Sequence, residues 1–246
     1  MQPVRPEFVP DPSLSRTEME ALQRDIAAAA VFEDDLDFDP LSARFGENPL
    51  VAGVDQAFDG ETATSAIVVL SGGDVVERVH ASERTEIPYI PGLLSFREGG
   101  AILAAFEELS CEPDLVLVDG SGRIHYREAG LATHIGVTLD IPTVGVAKSL
   151  LCGRPRRSLD EPLPAGERVA IEADDSVTAP TGAVIGYAVQ TRQYSSGSRY
   201  INPLYVSPGH RVGAETAAAV VARHATEYKL PEPVRLADAY AGTHSR

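Results

Sequence analysis

Cysteine is scarce in this chain, with two in 246 residues. Cys111 and Cys152 cannot build a disulfide framework and lack CxxC spacing, which excludes a disulfide-stapled scaffold and speaks against a cysteine-held metal. No apolar run reaches the roughly 20 residues a membrane span needs. The opening Met1-Gln2-Pro3-Val4-Arg5-Pro6 has no apolar leader core. We therefore expect a cytoplasmic protein without a membrane partner. Lysine is nearly missing: Lys148 and Lys229 are the only two, and the formal net charge is −15. Taken alone, that charge opposes nucleic-acid binding, because phosphate contacts dominate such affinity. The plain reading is an acidic protein that never meets DNA. Yet the acids are spread along the whole chain, and a dispersed acidic surface poor in lysine suits solubility in the salty cytoplasm of a halophile.

Hydrophobic residues make up 43%, enough at this length for a sizeable core. We expect one domain over 1–246, with a Pro-rich extended segment at 1–14 and a short tail at 239–246. Ser15-Arg16-Thr17-Glu18 has capping-box spacing and opens a helix to about Phe32, with Met19, Leu22, Ile26, Ala29 and Ala30 on one face. The acids from Glu33 to Asp39 read as a solvated linker. Leu50 to Asp55, Thr64 to Leu70 and Asp74 to His80 read as three strands joined by short turns. A helix follows from Leu93 to about Leu109. Leu115-Val116-Leu117-Val118 is a continuous apolar run, as expected of a strand buried on both faces. A short helix at 130–139 and a strand at Thr143 to Lys148 come next, then strands near 168–172 and 183–190. Gln193 to Arg199 reads as a loop, and 204–210 as the lead into a helix near 213–228, which Leu230-Pro231-Glu232-Pro233 breaks. Three antiparallel strands, a helix, then strand–helix–strand describe an α/β, RNase H-like fold: a central mixed sheet flanked by helices.

Within that order Asp55 and Asp119 end two strands that would lie side by side, and Glu98 reaches toward them from the intervening helix. Carboxylates converging in this way cannot all stay ionised without a cation. Oxygen donors select hard ions, Mg²⁺ or in its place Mn²⁺. Such an ion can activate water for phosphodiester cleavage. Lys148, ending the next strand, would face the scissile phosphate. Each residue also has a plainer reading: Asp55 as a turn acid, Asp119 in an Asp-Gly turn, Glu98 as a helix-start charge, Lys148 as a surface lysine. Gly120-Ser121-Gly122 imitates a dinucleotide loop but lacks the third glycine. His125 and His134 have no standard metal-ligand spacing.

The stretch Pro88-Tyr89-Ile90-Pro91-Gly92-Leu93-Leu94-Ser95-Phe96-Arg97-Glu98 sets a stiff aromatic tip ahead of the helix. With Val51-Ala52-Gly53-Val54-Asp55, Pro113 to Gly120, Pro142 to Ser149, Asn202 to His210 and Leu230 to Pro233, it resembles the endonuclease V family in order and spacing, from about residue 15 to 240. The resemblance implies a repair endonuclease that recognises deaminated bases, deoxyinosine above all. It would cut the second phosphodiester bond 3′ to the lesion and leave 3′-OH and 5′-phosphate ends. It implies metal ligation by Asp55, Asp119 and Glu98, a phosphate-side Lys148, and Asp238 near the site. Tyr89, Ile90 and Pro91 would be the wedge, and backbone near Gly92 and Gly120 would read the flipped base. The chain departs from the family at Ser121, where His is frequent, and at Glu128, an acid near the lesion pocket where Arg is frequent. We expect a monomer acting on DNA. Inosine in RNA, or binding to lesions or branched DNA without cutting, are the alternatives.

Overall fold

Leu50 to Arg84 forms the antiparallel meander expected from its pattern, in a computed structural model that describes residues 1–41, 48–194 and 199–245. The strands are β1 (Leu50–Asp59), β2 (Thr62–Ser71) and β3 (Asp74–Arg84). After α2 (Leu94–Glu107), β4 (Leu115–Val118) pairs parallel to β1, and after α3 (Leu131–Leu139), β5 (Thr143–Ala147) pairs parallel to β4. Among the described residues the sheet continues through β6 (Arg154–Pro155), β7 (Arg168–Glu172), β8 (Val184–Val189) and β9 (Leu204–His210). Its order is β3-β2-β1-β4-β5-β9-β8-β7-β6. The mixed α/β sheet is the one the element order describes.

Two layers cover it. Ala52 and Val54 of β1 and Val116 and Val118 of β4 pack under α2 and α3, against Ile102, Phe106, Leu131 and Ile135. Val51, Leu115 and Leu117 face the other way, onto α4 (Ala214–His224) and Val234 of α5 (Glu232–His244). This two-sided burial is why β4 reads as unbroken apolar sequence rather than an alternation. Each such large side chain, fully buried, contributes about 1.5–3 kcal/mol. α1 (Arg16–Ala29) lies outside α3, its capping box formed as the sequence predicts, with Glu18 N donating to Ser15 Oγ at 3.3 Å and Ser15 N to Glu18 Oε2 at 2.8 Å.

Several expectations are corrected. Residues 232–244 are a helix, not a tail: a proline costs little in a first turn, so Pro231-Glu232-Pro233 starts α5 after ending the previous segment. Residues 204–210 are a buried strand, because Leu204 and Val206 fill the core beneath α4 while β9 pairs antiparallel with β5. The acidic stretch after α1 is docked. Asp34 accepts from Gly213 N and Thr216 Oγ1, each at 2.7 Å, at the start of α4, and Asp35 pairs with Arg211 at 3.0 Å. Leu36 and Phe38 press on the core, while Glu33, Asp37 and Asp39 face solvent as expected. The N-terminal segment contains a short 3₁₀ turn at Pro6–Phe8. Of the loop expected at 193–199, residues 195–198 lie outside the described residues.

Candidate active site

The register of the parallel strands builds the site. Val54 of β1 pairs with Val118 of β4, and Asp119 N donates to Val54 O at 2.9 Å. The next residue in each segment is an acid, so Asp55, midway along β1, and Asp119, just past the carboxyl end of β4, stand abreast. Open α/β sheets place their ligand sites at such ends. A cavity of about 300 Å³ opens there, at the small end of the range for ligand pockets. Asp55, Glu98, Asp119, Lys148, Tyr89, Gly92 and Gly120 all line it.

Asp55 is 6% exposed. Its Oδ1 accepts from Gln56 N at 2.7 Å, while its Oδ2 is buried with no hydrogen-bond partner. Burial, and then the neighbouring Asp119 charge, push its pKa up to about 9, against the pull of Lys148. Glu98, in the second turn of α2, is 7% exposed. Burial raises its pKa to about 7; Arg97 opposes that rise and Asp119 adds to it. Lys148 Nζ donates to Asp119 Oδ2 at 2.6 Å. Burial acts to lower the Lys148 pKa, but the Asp119 hydrogen bond with the charges of Asp119, Asp55 and Asp238 raises it overall. Among the described residues, no three His, Cys, Asp or Glu side chains already converge as a metal cluster. The donors nonetheless fit a hard cation: they are carboxylate oxygens, one is orphaned and buried, and one is held by an ammonium.

The remaining sequence candidates separate. Tyr89 is 62% exposed on the rim. Ile90 is turned into the Met19, Leu93 and Phe96 cluster and anchors the loop instead of projecting from it. Pro91 is exposed and outside the cavity wall. Asp238, on α5, is also outside the wall, although its charge raises the pKa values of Asp55 and Lys148. α5 comes this close because residue 53 is glycine; a Cβ there would meet the Pro233 carbonyl carbon at 2.0 Å. Glu128 is not a wall residue either: it pairs with Arg123 at 2.9 Å and accepts from Thr178 Oγ1 at 3.0 Å. No helix opens after Gly122, since α3 starts at Leu131, so the dinucleotide-loop reading fails. His125 and His134 do not pair as metal ligands. His125 Nε2 donates to Gly92 O at 3.1 Å, and His134 Nε2 donates to Phe8 O at 2.7 Å.

A family model described as Endonuclease V matches residues 39–239. The chain belongs to the endonuclease V family. An endonuclease V from Haloarcula marismortui is 67% identical, the alignment covering 98% of this chain and 96% of that protein. The crystal structure of endonuclease V from Streptomyces avermitilis has a TM-score of 0.76 at 32% identity, covering 99% of this chain and 97% of that one. Ciona intestinalis endonuclease V, solved with a 24mer DNA containing an inosine followed by a ribo-adenosine, has a TM-score of 0.72 at 25% identity, covering 92% and 96%. Membership makes the chain a nuclease of the RNase H-like fold.

Sequence reasoning missed several walls of this endonuclease V cavity. Gln56 and Phe58 belong to it because β1 runs on to Asp59 instead of stopping at Asp55, and the Arg97 guanidinium lies 4.7 Å from the Phe58 ring centre. Gln23, 69 residues from Gly92, also reaches the cavity. Its signal was available: it is the polar member of an otherwise apolar helix face formed with Met19, Leu22 and Ile26.

Proposed function

We propose that this chain is a DNA repair endonuclease that cleaves the second phosphodiester bond 3′ to a deaminated base, above all deoxyinosine. The observation that carries the reading is the meeting, in one cavity, of buried Asp55 and Glu98 with the Asp119–Lys148 pair, beneath an exposed Tyr89. Asp55, Asp119 and Glu98 would hold Mg²⁺, with Mn²⁺ able to substitute. What such an ion supplies when bound is an activated water and charge stabilisation for the leaving oxygen. Lys148 balances Asp119 and offers its ammonium to a phosphate oxygen. Asp238 adds negative charge at the edge of the site. Tyr89, braced by Pro88 and Pro91, fills the gap in the stack when the base leaves it, with Ile90 fixing the loop from beneath. Gly92 and Gly120 contribute backbone to the pocket for the flipped base.

Inosine in the DNA of the Ciona complex supports this substrate class. The net charge of −15, the two lysines and the Haloarcula relative support an enzyme of a salt-rich cytoplasm, and we take it to act as a single-domain monomer. The test uses matched 5′-labelled oligonucleotides carrying one inosine, as DNA and as RNA, with Mg²⁺ at low and at molar KCl. Cutting of the DNA one nucleotide beyond the inosine is the expected result. Cutting of RNA alone would replace the DNA reading with RNA processing. Tight binding without cutting of either would make the chain a lesion sensor.

A further inference from the structure

α1 lies upstream of residues 39–239, the part that the family model matches, yet it reaches the pocket. Gln23 is 1% exposed, and its Nε2 donates to Gly92 O at 2.8 Å. His125 Nε2 donates to the same carbonyl at 3.1 Å. On the other side of that peptide, Leu93 N donates to Ile90 O at 3.0 Å. Three hydrogen bonds therefore clamp the Gly92–Leu93 peptide, between the Tyr89 tip and the Glu98 helix.

The two donors to Gly92 O are themselves joined. Arg127 Nε donates to Gln23 Oε1 at 2.7 Å, and Arg127 N donates to His125 Nδ1 at 3.2 Å. This closes a ring of hydrogen bonds running from Gly92 O through Gln23, Arg127 and His125 back to Gly92 O. Arg127 is held in turn by Glu20, one turn earlier on α1, at 3.6 Å. The Gln23 amide uses both of its ends, donating to Gly92 through Nε2 and accepting from Arg127 through Oε1. The clamped residue has to be glycine, since it sits at φ +81 and a Cβ there would press on the Tyr126 ring at 3.1 Å.

We propose that Gln23 is a positioning residue for lesion recognition, holding the Gly92 backbone in the geometry that reads the flipped base. The proposal rests on the reading of the site as a deaminated-base pocket. The test compares Gln23→Glu and Gln23→Met with the unaltered protein. Equilibrium binding is measured in Ca²⁺ to a duplex with one inosine, to the same duplex with a tetrahydrofuran abasic analogue, and to the unmodified duplex. Glu keeps the acceptor for Arg127 but sets a carboxylate against Gly92 O, while Met keeps the volume and loses both bonds.

With one buried carbonyl bond lost, both variants should bind the inosine duplex about tenfold more weakly. The abasic duplex has no base to read and should change by less than about twofold. In turnover with Mg²⁺ the inosine KM should rise, with kcat held within about twofold. Equal weakening on inosine and abasic duplexes would reduce Gln23 to general structural support and overturn the proposal. So would unchanged inosine binding by Gln23→Glu. If the unaltered protein shows no preference for inosine over the unmodified duplex, the pocket reading itself fails and takes this proposal with it.

Discussion

Asp119 accepts the short Lys148 bond and its charge raises the pKa values of both Asp55 and Glu98, so its removal should separate chemistry from recognition. Asp119→Ala should abolish Mg²⁺-dependent cleavage while inosine binding in Ca²⁺ stays measurable; unimpaired cutting would remove the acid cluster from the reaction. Tyr89→Ala should cut inosine discrimination by about tenfold, because one ring stacking on bases is worth roughly 1–3 kcal/mol. Equal discrimination with and without the ring would remove Tyr89 from recognition.

Asp55 makes a pH prediction whose sign can be worked out. Its pKa is raised in the fold, so the metal-free folded state holds a proton that the unfolded chain releases above the ordinary carboxylate range. Metal-free stability should therefore fall as pH rises toward 9, the raised Asp55 value. His125 and His134 act oppositely, held neutral by burial with pKa values lowered to about 4, but their window closes at the ordinary value of 6.5. Glu98, raised to about 7, adds to the decline up to that value, and beyond it Asp55 dominates, at up to about 1.4 kcal/mol per pH unit. Urea melts in EDTA between about pH 7.5 and 9 should show the decline, and Asp55→Asn should flatten it. A parallel slope in the variant would mean that Asp55 is not the group responsible.

At the scale of elements, the site depends on how closely α5 approaches the sheet and α1 the loop before α2. Gly53 lets Pro233 rest against β1, which brings Asp238 toward Asp55. Gly53→Ala forces the two apart or strains both, at a cost of about 1–3 kcal/mol by overpacking. Its melting temperature should drop, and its cleavage should fall further than stability alone explains, because Asp238 moves with the helix. Full activity at an unchanged melting temperature would show that α5 sits farther from β1.

For the whole molecule, a charge of −15 with 36 acids against 21 basic residues implies self-repulsion that salt screens. Thermal stability should rise from low to molar KCl, and so should the cleavage optimum. A protein most stable at low salt would be an ordinary acidic protein. Screening also weakens phosphate contacts, so on the proposed function the Tyr89→Ala loss of inosine discrimination should persist in molar KCl.

Local and periodic features were determined by the sequence alone. The Ser15–Glu18 capping box, the apolar run at 115–118 and the strand–helix order each depend on neighbours within a few residues. That order made parallel pairing of the strands carrying Asp55 and Asp119 an expectation, which the register of β1 with β4 meets. Only the tertiary structure decided the rest, because it depends on contacts between residues far apart in the chain. Whether residues 204–210 extend into a strand depended on a free edge of β5. Whether Asp34 faces water depended on the start of α4, about 180 residues away. How near the helix begun at Pro231-Glu232-Pro233 lies to the site depended on a glycine in β1 leaving room for it. Gln23 is the clearest case: a polar residue on an apolar face has no meaning until the fold brings a carbonyl in need of a donor against it.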